Sequence, residues 1–313
     1  MFIVKNRKIF YGISILLIVC SILAVSIFGL TAGIDFKGGS SIEFVYSEVR
    51  PDVNTINSKI EGLNFKEPIG VYSVVPLGEK GYVLKLRTIT DEERSSIVSA
   101  ISVASSTNSV EFKKINSVGP TLGAEAEKKA VTSLVLVILF IVLYLTFAFR
   151  KVSDPVSSWK YGIISIIALC HDVIIPTGIF AILGHYFAGF EVDTLFVTAI
   201  LVILGFSVHD TIVVFDRVRE NLKNNRSDKG GRNFEEIIGM SIEQTFIRSI
   251  NTSLTTLLAI LVVYFVGPVA TQNFALTLLF GIFFGTYSSI FIASNLLVTV
   301  EAWQKKSLAK HKK

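Results

Sequence analysis

Six long apolar stretches punctuate the chain, near residues 9–30, 131–149, 161–184, 194–215, 250–267 and 273–300. Each is as long as the roughly 17–25 residues a helix needs to cross a bilayer, so each is read as a transmembrane helix. The fifth is the least regular, because its dense apolar part starts only at Leu254 after a polar entry from Arg248 to Thr256. The segment between the first two stretches has a different texture. Residues 40–47 alternate like a half-buried strand, whereas Val53, Ile56 and Ile60 recur at helical spacing within 52–62. Strand-like runs at 71–77 and 81–88 flank Gly78-Glu79-Lys80-Gly81, which reads as a hairpin turn. Thr90 and Glu93 have the spacing of a capping box and open a helix with Ile97, Ala100, Ile101 and Ala104 on one face. Residues 109–116 return as a strand, completing a β-α-β-β-α-β order.

The pattern therefore predicts a polytopic α-helical membrane protein with six transmembrane helices and one ferredoxin-like α+β domain between helices 1 and 2. Its parts are the N-terminus and first helix at 1–32, the α+β domain at 33–128, the other five helices at 129–302 and a basic tail at 303–313. The first stretch exceeds a signal-peptide core of about 7–15 residues and no clear A-x-A site follows, so it reads as an uncleaved span.

Composition agrees with this architecture. Of 313 residues, 51% are hydrophobic and 18% charged, against about 25% charged in soluble domains. An ordinary soluble enzyme and a disordered chain are both excluded. Cys20 and Cys170 lie inside apolar runs and make no case for a disulfide framework or a metal site.

Charge sets the expected orientation. More than half of the 30 Lys and Arg sit at the N-terminus (Lys5, Arg7, Lys8), between the second and third spans (Arg150, Lys151, Lys160), between the fourth and fifth (Arg217 to Arg232, with Arg248) and in the tail (Lys305 to Lys313). The loops at 185–193 and 268–272 contain no Lys or Arg. Cytoplasmic loops hold the basic excess, so both termini are expected in the cytoplasm and the α+β domain on the opposite side. Strict alternation along the chain favours this topology over a nucleic-acid-binding role for the basic segments.

An ionisable residue at membrane depth is costly and marks a functional site. Asp210 lies in the fourth span, about 9 Å inward from Asp216 on a helical rise of 1.5 Å per residue. Its bland alternative is a carboxylate satisfied by hydroxyls such as Ser207 or Thr211. Arg248 enters the fifth span from the same side and is a candidate partner for Asp210, or else snorkels to the interface. His171 and Asp172 lie about eleven residues into the third span, near the midplane. Neighbours are about 100° apart on a helix and should not face one partner squarely; Asp172 either joins a proton network or clamps helices. A carboxylate near a guanidinium in lipid is stable ionised and paired, or protonated and released, which is the chemistry of a proton relay. ATP-driven transport lacks its phosphate loop, since no G-x-x-x-x-G-K-[ST] occurs. Gly281 and Gly285, with Ser288, Ser289 and Ala293, form a close-packing stripe on the last span. The α+β domain has no His between 33 and 128 and no nucleophile–base constellation, so binding or mechanical work is expected there, with open strand edges able to accept an extended polypeptide.

Five blocks carry a resemblance: Gly33-Ile-Asp35-Phe-Lys-Gly38-Gly39, Val118-Gly119-Pro120-Thr-Leu-Gly123-Ala-Glu125, residues 205–221 with His209, Asp210, Asp216 and Arg217, residues 248–258, and the glycine-rich last span. Collinear over nearly the whole chain, they resemble the SecF family of bacterial protein-export membrane subunits, within the resistance–nodulation–division superfamily. The resemblance implies a multi-pass protein of the cytoplasmic membrane that supplies one six-span half and its partner SecD the other, beside the SecYEG channel, with YajC and YidC as further neighbours. It implies proton conduction through the positions of Asp210 and Arg248, coupled to outward pulling of a translocating polypeptide by the exported domain. Membrane lipid and protons are then its other partners, with no enzyme activity, cofactor, metal or nucleic acid. His209 stands where the family usually has Asn and places a group that titrates near neutrality beside Asp210. The loop at Arg226–Arg232 is slightly longer than usual. Two rival readings are a proton-coupled exporter of small solutes or lipids from the same superfamily, which usually has twelve spans and two large extramembrane domains, and a non-transporting scaffold of the Sec complex.

Overall fold

The computed structural model describes the chain except residues 66, 71, 104–108, 151–155, 188, 227–230 and 312–313. The expected strand start at Val71, the Ala104 end of the helical face, and Lys151, Lys229, Lys312 and Lys313 lie outside the described residues. In chain order the elements are α1 (Arg7–Phe28), β1 (Gly39–Tyr46), α2 (Val53–Glu61), β2 (Ser73–Leu77), β3 (Gly81–Leu86), α3 (Asp91–Val103), β4 (Val110–Val118), α4 (Pro120–Ala148), α5 (Ser158–Tyr186), α6 (Thr194–Arg226), α7 (Phe234–Val266), α8 (Gln272–Ser288) and α9 (Ser294–His311). A π-helical turn at Ser289–Ala293 joins the last two. Among the described residues, six helical segments are long and apolar enough to cross a membrane: α1, α4, α5, Thr194–Asn225, α7 and the continuous run Val269–Ser307.

The residues divide into two compact units: Met1–Gly29, Ser133–Ile182 and Leu195–Lys313 in one, and Leu30–Thr132 with Leu183–Thr194 in the other. The second unit is built on a four-stranded antiparallel sheet of order β2-β3-β1-β4. With α2 and α3 as its two crossovers, this is the ferredoxin-like arrangement. The alternation read from the sequence has a direct consequence: Ile42, Phe44 and Tyr46 of β1 and Tyr82, Leu84 and Leu86 of β3 all point into one core. Ile56 and Ile60 of α2 and Ile97 and Ile101 of α3 close it. The β2–β3 hairpin pairs Leu77 with Gly81, and Gly78 takes the left-handed φ of 62° that the turn requires. Thr90 and Glu93 form both bonds of a capping box, Thr90 N donating to Glu93 Oε2 at 3.1 Å and Glu93 N to Thr90 Oγ1 at 3.3 Å.

The same unit holds the glycine motifs flanking the first and second spans. A β-carbon on Gly123 would lie 2.5 Å from the carbonyl oxygen of Phe36, and one on Gly38, whose φ is +76°, would lie 2.9 Å from Pro120. Gly39 also has a positive φ, and Pro120 is the first residue of α4, where its missing N–H costs nothing. The Gly38-Gly39 and Gly119-Pro120 motifs are therefore two halves of one close backbone contact.

In the helical unit the fifth span differs from its expected start near 250. It belongs to α7, which begins at Phe234 behind an Asn233–Glu236 capping box. Arg248 is thus about 21 Å along the helix from Phe234 instead of at its mouth. Likewise α6 runs to Arg226, well past the apolar limit at 215. At about 50 Å it is longer than a hydrocarbon core of about 30 Å, so its charged end continues into water as helix. Ion pairs Asp216–Arg219 and Arg217–Glu220 at i,i+3 spacing line that end.

Candidate functional site

Glycine permits the approach on which the site depends. A β-carbon on Gly281 of α8 would lie 2.1 Å from Ile203 Cδ1 of α6, and one on Gly285 would lie 3.2 Å from Ser207 Cβ and 3.7 Å from Asp172 Oδ2. The stripe on the last span thus brings α8 against α6 and leaves room for a carboxylate from α5.

That carboxylate is Asp172, fully buried midway along α5, about 21 Å from either end. Its Oδ2 accepts from Ser207 Oγ at 2.5 Å and Ser288 Oγ at 2.7 Å. Its Oδ1 meets His171 Nδ1 at 2.7 Å. The two neighbours, expected to diverge around the helix, bond to each other while the His171 ring stacks on Tyr287 with centroids 6.0 Å apart. Nε2 of His171 is buried with no hydrogen-bond partner among the described residues. Pro176 stands one turn further along α5, so the Asp172 carbonyl lacks the N–H that an i+4 residue normally supplies. On the other side, Ser288 precedes the π-helical turn, itself a departure from regular helix of the sort found at functional sites.

Asp210 lies one turn along α6 from Ser207 and is 1% exposed. Its contacts differ from those the sequence offered. Ser207 serves Asp172, and Thr211 bonds Ser289 at 2.8 Å. Asp210 instead accepts from Ser253 Oγ of α7 at 3.3 Å, and Ser253 meets Thr286 of α8 at 2.6 Å. Ser289 donates to the Ser207 carbonyl at 3.3 Å, so hydroxyls from α6, α7, α8 and the π turn surround both acids. Chemically the two acids are unequal. Asp172 accepts three strong hydrogen bonds and fixes α5, α6 and α8 together. Asp210 has two hydroxyl partners, Ser253 at 3.3 Å and Thr286, which also bond each other, so its network is looser than that of Asp172.

Arg248 is not joined to Asp210. No ion pair connects them among the described residues; Arg248 is exposed, while Ser249 and Ser253 occupy the buried face of α7. The expected pairing fails for a geometric reason, since 248 and 253 are five residues apart and point to opposite sides of the helix. Arg248, Asn251, Thr252 and Thr255 form an outward polar stripe at i, i+3, i+4 and i+7. His209 is likewise exposed, about 100° around α6 from Asp210.

The remaining motif residues do structural work. Arg217 Nε donates to Gln244 Oε1 at 2.7 Å, and Asn221 Nδ2 donates to Gln244 at 2.8 Å and Ser241 at 2.9 Å, tying the far end of α6 to α7. Asp216 pairs with Arg219. In the other unit, Asp35 Oδ2 accepts from both the backbone N (3.1 Å) and the hydroxyl (2.6 Å) of Thr194, the first residue of α6. Ser253, Thr286 and Ser288 were not singled out as ligands of the acids; the only sequence signal for them is small polar residues at i, i+4 spacing in apolar helices, as in Ser249–Ser253.

The family model described as protein export membrane protein SecD/SecF, C-terminal, matches residues 98–303. The chain is 42% identical over 310 residues to the protein translocase subunit SecF of Thermobaculum terrenum, covering 97% of this chain and 94% of that one. It is 36% identical to the subunit of the same name in Anaerolinea thermophila, covering 96% and 94%. Its fold matches the crystal structure of SecDF, a translocon-associated membrane protein of Thermus thermophilus, with a TM-score of 0.78 and 33% identity. That match covers 96% of this chain and 38% of the SecDF chain.

Proposed function

This chain belongs to the SecF family of protein translocase subunits, and on that premise we propose that it couples inward proton flow to the outward movement of polypeptides across the bacterial cytoplasmic membrane, with Asp210 as the proton carrier. The observation that carries this reading is Asp210 itself: a buried carboxyl deep in a membrane-crossing helix, met by the neutral hydroxyls of Ser253, at 3.3 Å, and Thr286 and by no cation among the described residues. A carboxylate in such a place is costly unless it is protonated or paired. Moving a charge through it draws on the membrane potential, about 2.3 kcal/mol per charge across 100 mV.

The partner in this reading is SecD. The solved SecDF chain is more than twice as long as the part this chain covers, so a second set of helices is to be supplied separately. The outward polar stripe of Arg248, Asn251, Thr252 and Thr255 supports a protein neighbour, because guanidinium and amide groups at bilayer depth do not face lipid. Arg248 then acts as the switchable cation of the relay from that shared surface, with His209 and Asp172 as its further titratable members. The basic loops support cytoplasmic termini and an external position for the ferredoxin-like domain, our 33–128, which in this reading contacts the emerging polypeptide beside the Sec channel.

The test is proton influx. Proteoliposomes holding the chain and SecD, given a potassium-diffusion potential and a pH-sensitive dye, should acidify on the receiving side, and Asp210→Asn should reduce the rate at least tenfold. Equal rates in both would leave Asp210 a structural residue, as a non-transporting scaffold requires.

A further inference from the structure

The second and third spans are joined at their charged ends by aromatic packing. Phe149, just past α4, stacks on Tyr161 of α5 with ring centroids 5.3 Å apart, and both rings meet Phe215 of α6 edge-on, at 5.9 and 5.2 Å. Ser158 Oγ donates to the Phe149 carbonyl at 2.8 Å, and a β-carbon on Gly162 would lie 2.9 Å from Thr146 Oγ1. The two helix ends are therefore held side by side from the buried side. Outward, their apolar stretches stop at Arg150 and Lys160. The Arg150 guanidinium sits 4.0 Å from the centre of the Phe147 ring, and the Lys160 ammonium 5.6 Å from that of Trp159. Both rings are more than half exposed. No carboxylate pairs with either cation among the described residues, and a cation lying over a ring face still has N–H donors to satisfy.

Each ring also heads an apolar row. Leu139, Leu143 and Phe147 recur every four residues on α4, Trp159, Ile163 and Ile167 do so on α5, and all six are exposed. We propose that this end of the α4–α5 pair binds an anionic phospholipid, with its phosphate at Arg150 and Lys160 and its acyl chains along the two rows. The pattern has the shape of an amphiphile: charge at one end only, aromatic rings where the headgroup begins, hydrocarbon beyond. It differs from the outward stripe on α7, where polar side chains recur along the helix and suit a protein neighbour. The guanidinium of Arg150 is a fork matched to phosphate oxygens. Lys160 lies in the first turn of α5, at the positive pole of the helix dipole, so its own helix does not stabilise it and an outside anion does. The proposal needs only that α4 and α5 cross a membrane, and it stands apart from the proton-coupling reading.

Trp159 is the probe. The chain has two tryptophans, so Trp303→Phe leaves Trp159 alone to report. The full chain is reconstituted in phosphatidylcholine vesicles, and the quenching of Trp159 by acyl-brominated phosphatidylglycerol is compared with that by acyl-brominated phosphatidylcholine at equal mole fraction. One basic residue near an anionic lipid surface is worth about fivefold in binding, so phosphatidylglycerol should be preferred at least about fivefold. The paired change Arg150→Gln with Lys160→Gln should reduce the preference below about twofold, while the charge-keeping pair Arg150→Lys with Lys160→Arg should retain it. Equal quenching by the two lipids would overturn the site. A preference that survives the Gln pair, or is lost in the charge-keeping pair, would overturn the role of these cations. The second readout is native mass spectrometry of the complex with SecD, extracted from membranes containing phosphatidylglycerol. Wild type should retain at least one phosphatidylglycerol more than the Gln pair. Equal retention would overturn lipid as the occupant in the assembly and assign the face to a protein neighbour.

Discussion

Gly281 lies so close to Ile203 that a single methyl group would overlap it, at 2.1 Å from Cδ1. The contact is what lets α8 reach α6, and through it Ser288 and Ser207 reach the same oxygen of Asp172. Gly281→Ala should therefore destabilise the folded chain by about 1–3 kcal/mol, the usual cost of overpacking. Shortening Ile203 to Ala makes room, so the double variant should recover more than half of the loss. Thermal unfolding of the four proteins in one detergent gives the coupling; additive losses would place the crowding elsewhere.

Asp172 separates shape from charge. Asn at this position keeps an oxygen for Ser207 and Ser288 and offers an amide to His171, whereas Leu removes the partner of Ser207 and His171 and leaves Ser288 with the Gly285 carbonyl at 3.0 Å. Asp172→Leu should lower stability by about 1–3 kcal/mol for each unsatisfied group, and Asp172→Asn by less than about 1 kcal/mol. Membrane abundance and unfolding temperature check this. An Asn variant as unstable as Leu would show that the negative charge itself holds the helices.

Arg248 should matter only in company. On the isolated chain it is exposed and unpaired with Asp210, so Arg248→Gln should change stability by no more than about 0.5 kcal/mol. In complex with SecD the same change should weaken subunit association measurably at equal expression. Loss of stability in the isolated chain would contradict the outward placement.

Tyr46 makes the domain sensitive to alkali. Burial in the core, reinforced by Tyr82 nearby, pushes its phenol up to about 12. The neutral form is thus favoured when folded, and the contribution is complete below about pH 10, where an unfolded tyrosine is also neutral. It is lost as pH rises from about 10 to 12. Protease resistance of the domain should fall over that window in wild type and fall less steeply in Tyr46→Phe, which cannot ionise. Identical profiles would assign the alkaline loss to other groups.

What could be read from the sequence follows from how the information is stored. The six spans were legible because a bilayer demands an unbroken apolar run, and the domain because β1 and β3 put a large apolar residue at every second position around Phe44 and Leu84. Helix ends were not: α6 and α7 continue through charged segments whose ion pairs and capping box stabilise helix in water, so apolarity underestimates their length. Asp210 and Asp172 stood out as carboxyls in apolar runs. Their partners did not, since the choice between Ser207 and Ser253 depends on which face of each helix meets its neighbour. The same limit hid the direction of Arg248 and the bond from Asp35 to Thr194, which join distant parts of the chain.

The central claim is that Asp210 carries the protons that drive export. The direct measurement loads inverted vesicles containing this chain and SecD with a part-translocated preprotein and applies a proton gradient, acid inside, without further ATP. Wild type should complete translocation, an uncoupler should stop it, and Asp210→Asn at equal membrane level should not complete it. Completion at the same rate by Asp210→Asn would contradict the account.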